Sequence, residues 1–372
     1  MIDDIIFSIK EVIRYNNIPK KNKEFVFFSE NINYKNFFIN LIDLITTENK
    51  KVIYISCDKE DNISSRNNII NICLPSFIVR IFFLSIINCT YFFLTTSDLG
   101  FNEIKKSKNC YKYIYIFHSL ISCHVQYNEK AFFNYDVFCC NTKFQYYEMN
   151  KIINKYNLKN KTVIKSGYLY GDYLKKLKAS NQNSIEKKNI LIAPTWFKDK
   201  EGLFDNGLEK LIKNLINQNY LITLRLHPEH IKRSRKNINN ILNKFDKTSL
   251  KLEENILNFE SLKNSHYLIT DYSGIAIEYM FYFNKPSLYF ETPKKIHNLK
   301  YKYISEKSFE EDVKKNFGTI FSENDIYRFG EIIERANYEF ESRKEEMSNY
   351  FLQNIYNVGN ADRIIFSEIN KI

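Results

Sequence analysis

Glycine and proline are scarce in this chain, nine and six in 372 residues. So few breakers exclude collagen-like and low-complexity classes and leave little room for flexible linkers. Internal repeats are absent as well, which excludes solenoids and propellers. The seven cysteines include no Cys-x-x-Cys pair, and Cys139 and Cys140 are adjacent, a spacing poorly suited to chelating one ion. An odd number of thiols in and beside apolar runs reads as small buried hydrophobes in a reducing, cytoplasmic compartment. No Asp-x-Asp or His-x-His pair suited to Mg²⁺ or Mn²⁺ occurs, so no obligatory metal or other cofactor is expected. Leu74 to Leu94 comes nearest to a membrane span, but Arg80, Asn88 and Thr90 interrupt it. The better reading is a helix over Ser76–Ile87 and then a strand over Tyr91–Thr95. The first ten residues hold Asp3 and Asp4 and no basic stretch before an apolar one, so no secretory signal is expected.

What is present is bulk. Aromatics make up 16% of the chain, with 31 Phe and 27 Tyr, beside 44% hydrophobic and 26% charged residues. That is a globular composition, in a chain long enough for two domains. The formal charge is +11. A solvated lysine-rich surface accounts for most of it. The denser Lys232-Arg233-Ser234-Arg235-Lys236 cluster adds attraction for anionic lipid headgroups or a polyphosphate acceptor, so peripheral association with the inner membrane face is an expectation. No nucleic-acid module is readable, and no nucleic-acid partner is expected.

Strand-like runs alternate with helical ones. Phe25–Ser29, Lys51–Ser56, Tyr91–Thr95, Tyr113–Phe117 and Val137–Cys140 are apolar and β-rich, with helical spacing in Asn33–Glu48, Ser76–Ile87 and Thr142–Tyr156. The polar stretch Ala179–Lys188 reads as a linker. Beyond it, Ile190–Ala193, Leu221–Arg225, Tyr267–Thr270 and Ser287–Phe290 read as strands. Leu208–Asn217, Ile238–Phe245, Ser273–Phe283, Asp325–Tyr350 and Ala361–Ile369 read as helices. Such alternation implies two α/β, Rossmann-like domains over residues 1–180 and 181–350, with 351–372 as a closing helix.

Three strands of the second half end on chemistry. Ile190-Leu191-Ile192-Ala193-Pro194-Thr195 delivers Thr195 and then Trp196, the only tryptophan; Leu221–Arg225 leads to His227-Pro228; Tyr267–Thr270 leads to Asp271-Tyr272-Ser273-Gly274. Ligands of open parallel sheets bind outside the carboxyl ends of the strands. The last turn aims a helix N-terminus and the Ser273 hydroxyl at one point, a cradle for phosphate oxygens. Glu278 lies one helical turn beyond Gly274. In the first half, Tyr113–Phe117 runs into His118.

Ala-Pro-Thr, Leu-His-Pro and Thr-Asp-Tyr-Ser in that order resemble the CDP-glycerol glycerophosphotransferase family, builders of teichoic-acid-like and capsule polymers. Gly359-Asn360-Ala361-Asp362-Arg363-Ile364 resembles the family's C-terminal signature. Phe117-His118-Ser119-Leu120 corresponds to its Trp-His-Gly-Thr with the glycine lost, and Gly167-Tyr168…Asp172 to its Gly-Tyr-Pro…Asp with Leu169 for proline. The likeness spans roughly residues 90 to 365. It implies the glycosyltransferase B-type (GT-B) architecture, two lobes facing a cleft, the first (1–180) an acceptor domain and the second (181–350) a nucleotide-donor domain, with the final helices packing back on the first domain. It also implies that histidines such as His118 and His227 are catalytic. We assign His118 as general base and His227 as a ligand of the transferred phosphate. Thr195, Arg225, Ser273 and Gly274 would meet the phosphates of a CDP-activated donor, and Glu278 a hydroxyl of its ribose or polyol. Asp271 is read equally as part of that cradle or as a helix cap. His124, His230, His266 and His297 receive no role. The expected activity is transfer of glycerol phosphate, or a related polyol phosphate, to a glycan or lipid-linked acceptor. A nucleotide-sugar glycosyltransferase and a non-catalytic glycan-assembly protein are the rivals.

Overall fold

The central strands form where apolar β-branched or aromatic residues run together. The computed structural model describes residues 2–63, 68–101, 103–178, 189–255 and 259–372. In the first half β1 (Phe25–Ser29), β2 (Val52–Ser56), β3 (Ile69–Cys73), β4 (Cys89–Leu94), β5 (Cys110–Ile116), β6 (Val137–Cys140) and β7 (Thr162–Lys165) build one parallel sheet, ordered β3-β2-β1-β4-β5-β6-β7. In the second half β8 (Asn189–Ile192), β9 (Leu221–Arg225), β10 (Leu250–Glu253), β11 (Tyr267–Thr270), β12 (Ser287–Phe290) and β13 (Thr319–Phe321) build another, ordered β10-β9-β8-β11-β12-β13. Both are covered by helices on two faces, which is why β1, β2, β6, β11 and β12 are buried at every position. Each order reverses direction once, between β1 and β4 and between β8 and β11, and at those points a crevice opens beyond the strand ends.

The central strands stand within a residue or three of their expected bounds. The ones the sequence reading does not anticipate are β3, β7, β10 and β13, the outermost strands of the two sheets. An edge strand buries less, and in two of them the apolar signal is diluted or short, since β10 is Leu-Lys-Leu-Glu and β13 has three residues; β3, Ile-Ile-Asn-Ile-Cys, is apolar yet mostly only half-buried. The helix Ile2–Asn16 was also not anticipated. The expected helix over Asn33–Glu48 is two pieces, a 3₁₀ turn at Ile32–Phe37 and a helix at Ile39–Thr47. The Asn31 side chain accepts from Asn33 N–H at 2.9 Å and starts the tighter turn. The linker expected over Ala179–Lys188 lies outside the described residues.

The lobes are joined by packing as well as by chain. One apolar cluster mixes Leu120, Tyr168 and Leu174 of the first lobe with Leu191, Leu268, Ile277 and Tyr279 of the second. The long helix Phe329–Asn354 starts on the second core and ends in this shared cluster. The chain then crosses back. Tyr356 N–H donates to Asn141 C=O at 2.9 Å, and the helix Ala361–Ile369 lies on the helix Ile39–Thr47. Asp172 pins the return: its carboxylate accepts from Gly359 N–H at 2.6 Å and Ala361 N–H at 2.9 Å. Gly167 sits beneath with φ +98°, where an added Cβ would lie 2.6 Å from the Tyr356 carbonyl oxygen, so only glycine fits. Two motifs distant in sequence are thus one structural joint.

Candidate active site

Strand order decides what meets. β9, β8 and β11 are neighbours, so His227, Thr195 and Ser273 stand side by side at one sheet edge. His118 projects from the end of β5 in the opposite lobe. A cavity of about 250 Å³ lies between, lined by Phe37, His118 and Ser119 on one side and by Thr195, Arg225, His227, Ser273, Gly274, Glu278 and Lys295 on the other. Of the eight expected site residues only Asp271 does not line it. At Gly274 the lobes nearly touch: a Cβ there would lie 2.8 Å from Ser119 Oγ.

The two histidines are held as opposite neutral tautomers. His118 Nδ1 is 3.2 Å from the Thr95 carbonyl oxygen, an acceptor only, so Nδ1 carries the proton and Nε2 keeps its lone pair. Tyr34 and Phe37 pack edge-on against the ring at 5.6 and 5.9 Å between centroids. Burial pulls its pKa down to about 4, so the ring is neutral near pH 7. His227 is the mirror case. Its Nδ1 accepts from Glu229 N–H at 3.2 Å, which leaves the proton on Nε2 as a donor. Desolvation in the cleft and then the cationic Lys295 lower its pKa to about 4, with the Glu229 charge pulling the other way, so this ring too is neutral near pH 7. One imidazole offers a lone pair, the other an N–H.

Asp271 is neither a phosphate ligand nor a helix cap in this structure. Its carboxylate is fully buried and accepts from Thr195 N–H at 2.7 Å, Tyr272 N–H at 2.8 Å and Leu203 N–H at 2.9 Å. Three backbone donors saturate it, and it holds the Thr195 loop against the Ser273 turn. Thr195 Oγ1 in turn accepts from Tyr272 N–H at 3.2 Å. Arg225 reaches the cavity wall, but its guanidinium is in a buried ion pair with Glu253 at 2.7 Å. Glu278 is buried and accepts from Tyr168 Oη–H at 2.6 Å, and the same hydroxyl is 3.2 Å from the His118 carbonyl oxygen.

The model of the family CDP-glycerol:poly(glycerophosphate) glycerophosphotransferase matches residues 105–367. The chain belongs to that family. Solved structures agree on the fold. The wall teichoic acid polymerase TagF is similar over 100% of this chain and 95% of its own, at 16% identity and a TM-score of 0.61. S. aureus MnaA with UDP follows at 14% identity and 0.57, over 94% and 96%. The UDP-GlcNAc 2-epimerase of Neisseria meningitidis, bound to UDP-GlcNAc, gives 16% and 0.56, over 93% and 99%. A search of curated proteins found no match. The fold class is GT-B.

For a glycerophosphotransferase two further residues matter, and the sequence reading missed both. Lys295 follows β12 and lines the cavity. Its ammonium has no ion pair or hydrogen bond among the described residues, and burial pulls it down to about 8 against the opposing charges of Asp271 and Glu310. It is thus still protonated near neutrality and free to meet an anion. Its signal in the sequence, a lysine five residues after a strand, is too common to notice. Tyr168 belongs to the Gly-Tyr…Asp segment and links Glu278 of one lobe to the His118 backbone of the other. Among the described residues no three His, Cys, Asp or Glu gather as a metal site, and no helix is long and apolar enough to cross a membrane.

Proposed function

We propose that the cleft transfers glycerol phosphate from CDP-glycerol to a hydroxyl of a glycan or lipid-linked acceptor. The observation that carries this is the opposed pair of imidazoles, one a ready base and one a ready donor, facing a single cavity. The acceptor oxygen attacks the glycerol-bearing phosphorus while His118 Nε2 takes its proton. The bond from that phosphorus to the bridging oxygen breaks, and CMP leaves with the electron pair. His227 Nε2–H, the helix N-terminus at Ser273–Gly274 and the Lys295 ammonium meet the phosphate charge. The bound diphosphate also raises the basicity of His118, because an anion beside an imidazole favours its charged form. With a fixed ammonium and these dipoles in place, transfer needs no obligatory metal. Activity abolished by EDTA and restored by Mg²⁺ would overturn that part.

Membrane-borne acceptors also fit the first lobe, which we place at the inner face of the membrane in the cytoplasm. Helices Ile2–Asn16 and Phe77–Ile86 pack together and expose Ile2, Ile6, Ile13, Ile78 and Phe82 at 49–73%. So large an apolar face on adjacent helices supports peripheral docking on lipid. Ile78→Glu with Phe82→Glu should abolish co-sedimentation with anionic vesicles; unchanged binding refutes it.

The test of the donor is thermal protection. CDP-glycerol should raise the unfolding temperature, and UDP- or GDP-sugars should not. The reverse pattern makes the chain a nucleotide-sugar glycosyltransferase.

A further inference from the structure

A second cavity, of about 670 Å³, opens in the first lobe. It lies beyond the carboxyl ends of β1, β2 and β4, and its wall includes Glu30, Arg80, Thr96, Asp98 and Glu103. This is the crevice at the first sheet's own reversal of strand order, and none of its lining belongs to the transfer cavity. The two chambers nevertheless share a partition. Thr95 C=O holds the His118 ring, and the next residue, Thr96, donates its hydroxyl to Glu30. Tyr34 packs on His118, and the charge of Glu30 acts on the Tyr34 hydroxyl. Consecutive residues just beyond β4 thus face the two chambers, Thr95 toward His118 and Thr96 toward Glu30.

The lining also selects what enters. Glu30, Asp98 and Glu103 set three carboxyl groups against one guanidinium, that of Arg80. Burial and the Glu103 charge push Glu30 up to about 7, so near neutrality it both donates and accepts, and the excess of negative charge rests on Asp98 and Glu103. Asp98 accepts from Ser97 Oγ–H at 2.7 Å and from Asn128 at 3.0 Å, and adopts φ +62°, an uncommon conformation for a side-chain-bearing residue. Carboxyls and hydroxyls are good partners for ligand O–H groups, whereas a phosphodiester would be repelled by the excess of negative charge. One wall is the helix Phe77–Ile86. Arg80, Ile81 and Leu84 face the cavity at helical spacing, and Ile78, Phe82 and Ile86 face outward and exposed. The same helix that fronts the apolar surface therefore walls the chamber.

We propose that this chamber is the acceptor subsite, and that it binds an uncharged, hydroxyl-rich glycan unit next to the one being modified, not a glycerol-phosphate repeat. This rests on the transferase reading above. The test uses the full chain, CDP-glycerol as donor, and membrane vesicles from cells making the chain as acceptor. Ser97→Trp fills the chamber, and Glu30→Lys reverses part of its charge. Each should cut transfer to vesicles at least tenfold while thermal protection by CDP-glycerol stays at the wild-type value. In wild type, a neutral oligosaccharide prepared from the vesicle glycan should inhibit, and oligo(glycerol phosphate) should not. Transfer retained in both variants, or stronger inhibition by oligo(glycerol phosphate), overturns the proposal. Absence of any protection by CDP-glycerol in wild type sinks the transferase reading instead.

Discussion

Glu278 is a residue whose ionisation the fold resists, and Glu278→Gln measures it. The carboxyl is buried in the cleft floor, and burial pushes its pKa from 4.5 to about 7, against the opposing pull of the Tyr168 hydrogen bond and the Arg225 charge. A carboxyl with a raised folded-state pKa binds its proton more tightly folded than unfolded. The folded state is therefore favoured below pH 4.5, and that advantage is lost as pH rises to about 7. A shift of this size corresponds to about 3 kcal/mol. Glutamine keeps an oxygen for the Tyr168 hydroxyl and has no charge to bury. Relative to wild type, the variant should be unchanged at pH 4.5 and more stable by up to about 3 kcal/mol at pH 8. For a chain of this size that is roughly 4 °C in Tm if both lobes unfold together. Thermal unfolding followed by circular dichroism from pH 4.5 to 8 reads the difference. A difference independent of pH, or one that grows toward acid, would mean that Glu278 ionises without cost, and the account of the cleft floor would fail.

The remaining predictions concern the joint, the gap between the lobes and the charges. Asp172→Asn turns an amide NH2 toward one of two backbone N–H groups, and although the amide escapes the burial that raises the Asp172 pKa, it should cost roughly 1–2 kcal/mol and expose the last helix to limited proteolysis; unchanged melting and digestion count against the joint. Gly274→Ala places a methyl 2.8 Å from Ser119 Oγ and 3.0 Å from Ile121 Cγ2 and should raise the KM for CDP-glycerol, at about 1–3 kcal/mol of crowding, with Ser119→Gly restoring part of it. If the second change restores nothing, the lobes are not in contact there. Lys295→Gln should weaken CDP-glycerol binding roughly tenfold and flatten its dependence on salt, read by titration at two ionic strengths; equal affinity in both proteins removes Lys295 from the site. Because His118 must be neutral to act and its pKa is lowered to about 4, kcat/KM should hold as pH falls past 6 and drop only near 4. An acidic limb at 6.5 would mean an unperturbed base.

The site was legible in outline because strand ends are marked by composition. A short apolar run that stops on Thr195, His227 or Ser273 signals both the strand and the edge from which the residue projects. Adjacency was not legible: that β9, β8 and β11 are neighbours is a fact of strand order, which pattern alone does not carry. The same limit hid edge strands such as β10 and β13, whose single buried neighbour leaves little apolar signal, and hid Lys295, which becomes notable only when its ammonium is found in a cavity. Asp271 was misassigned for a related reason. From sequence an aspartate in a strand–helix turn is an anion-site residue or a cap, but the Thr195 loop folds over it, and Thr195 and Leu203 of that loop, with Tyr272 of the turn itself, supply three backbone N–H donors first.

The departures from the family pattern can now be weighed physically. Loss of glycine after His118 would disable the turn if the backbone there required a left-handed conformation. Ser119 is not among the side-chain-bearing residues with positive φ, so serine costs that turn nothing. Its carbonyl is also firmly held, accepting from Asn141 at 3.0 Å and Gln145 at 2.8 Å. The small residue needed at this contact is on the facing turn, at Gly274. Close approach of the lobes requires space on one side only, and Ser119 fills what Gly274 leaves open. Leu169 in place of proline is equally benign, because it opens the helix Leu169–Lys178, where proline is tolerated without being required. Neither change touches the two imidazoles or their tautomers. The reading of this chain as a scaffold that has lost its chemistry therefore has no support in the residues that first raised it.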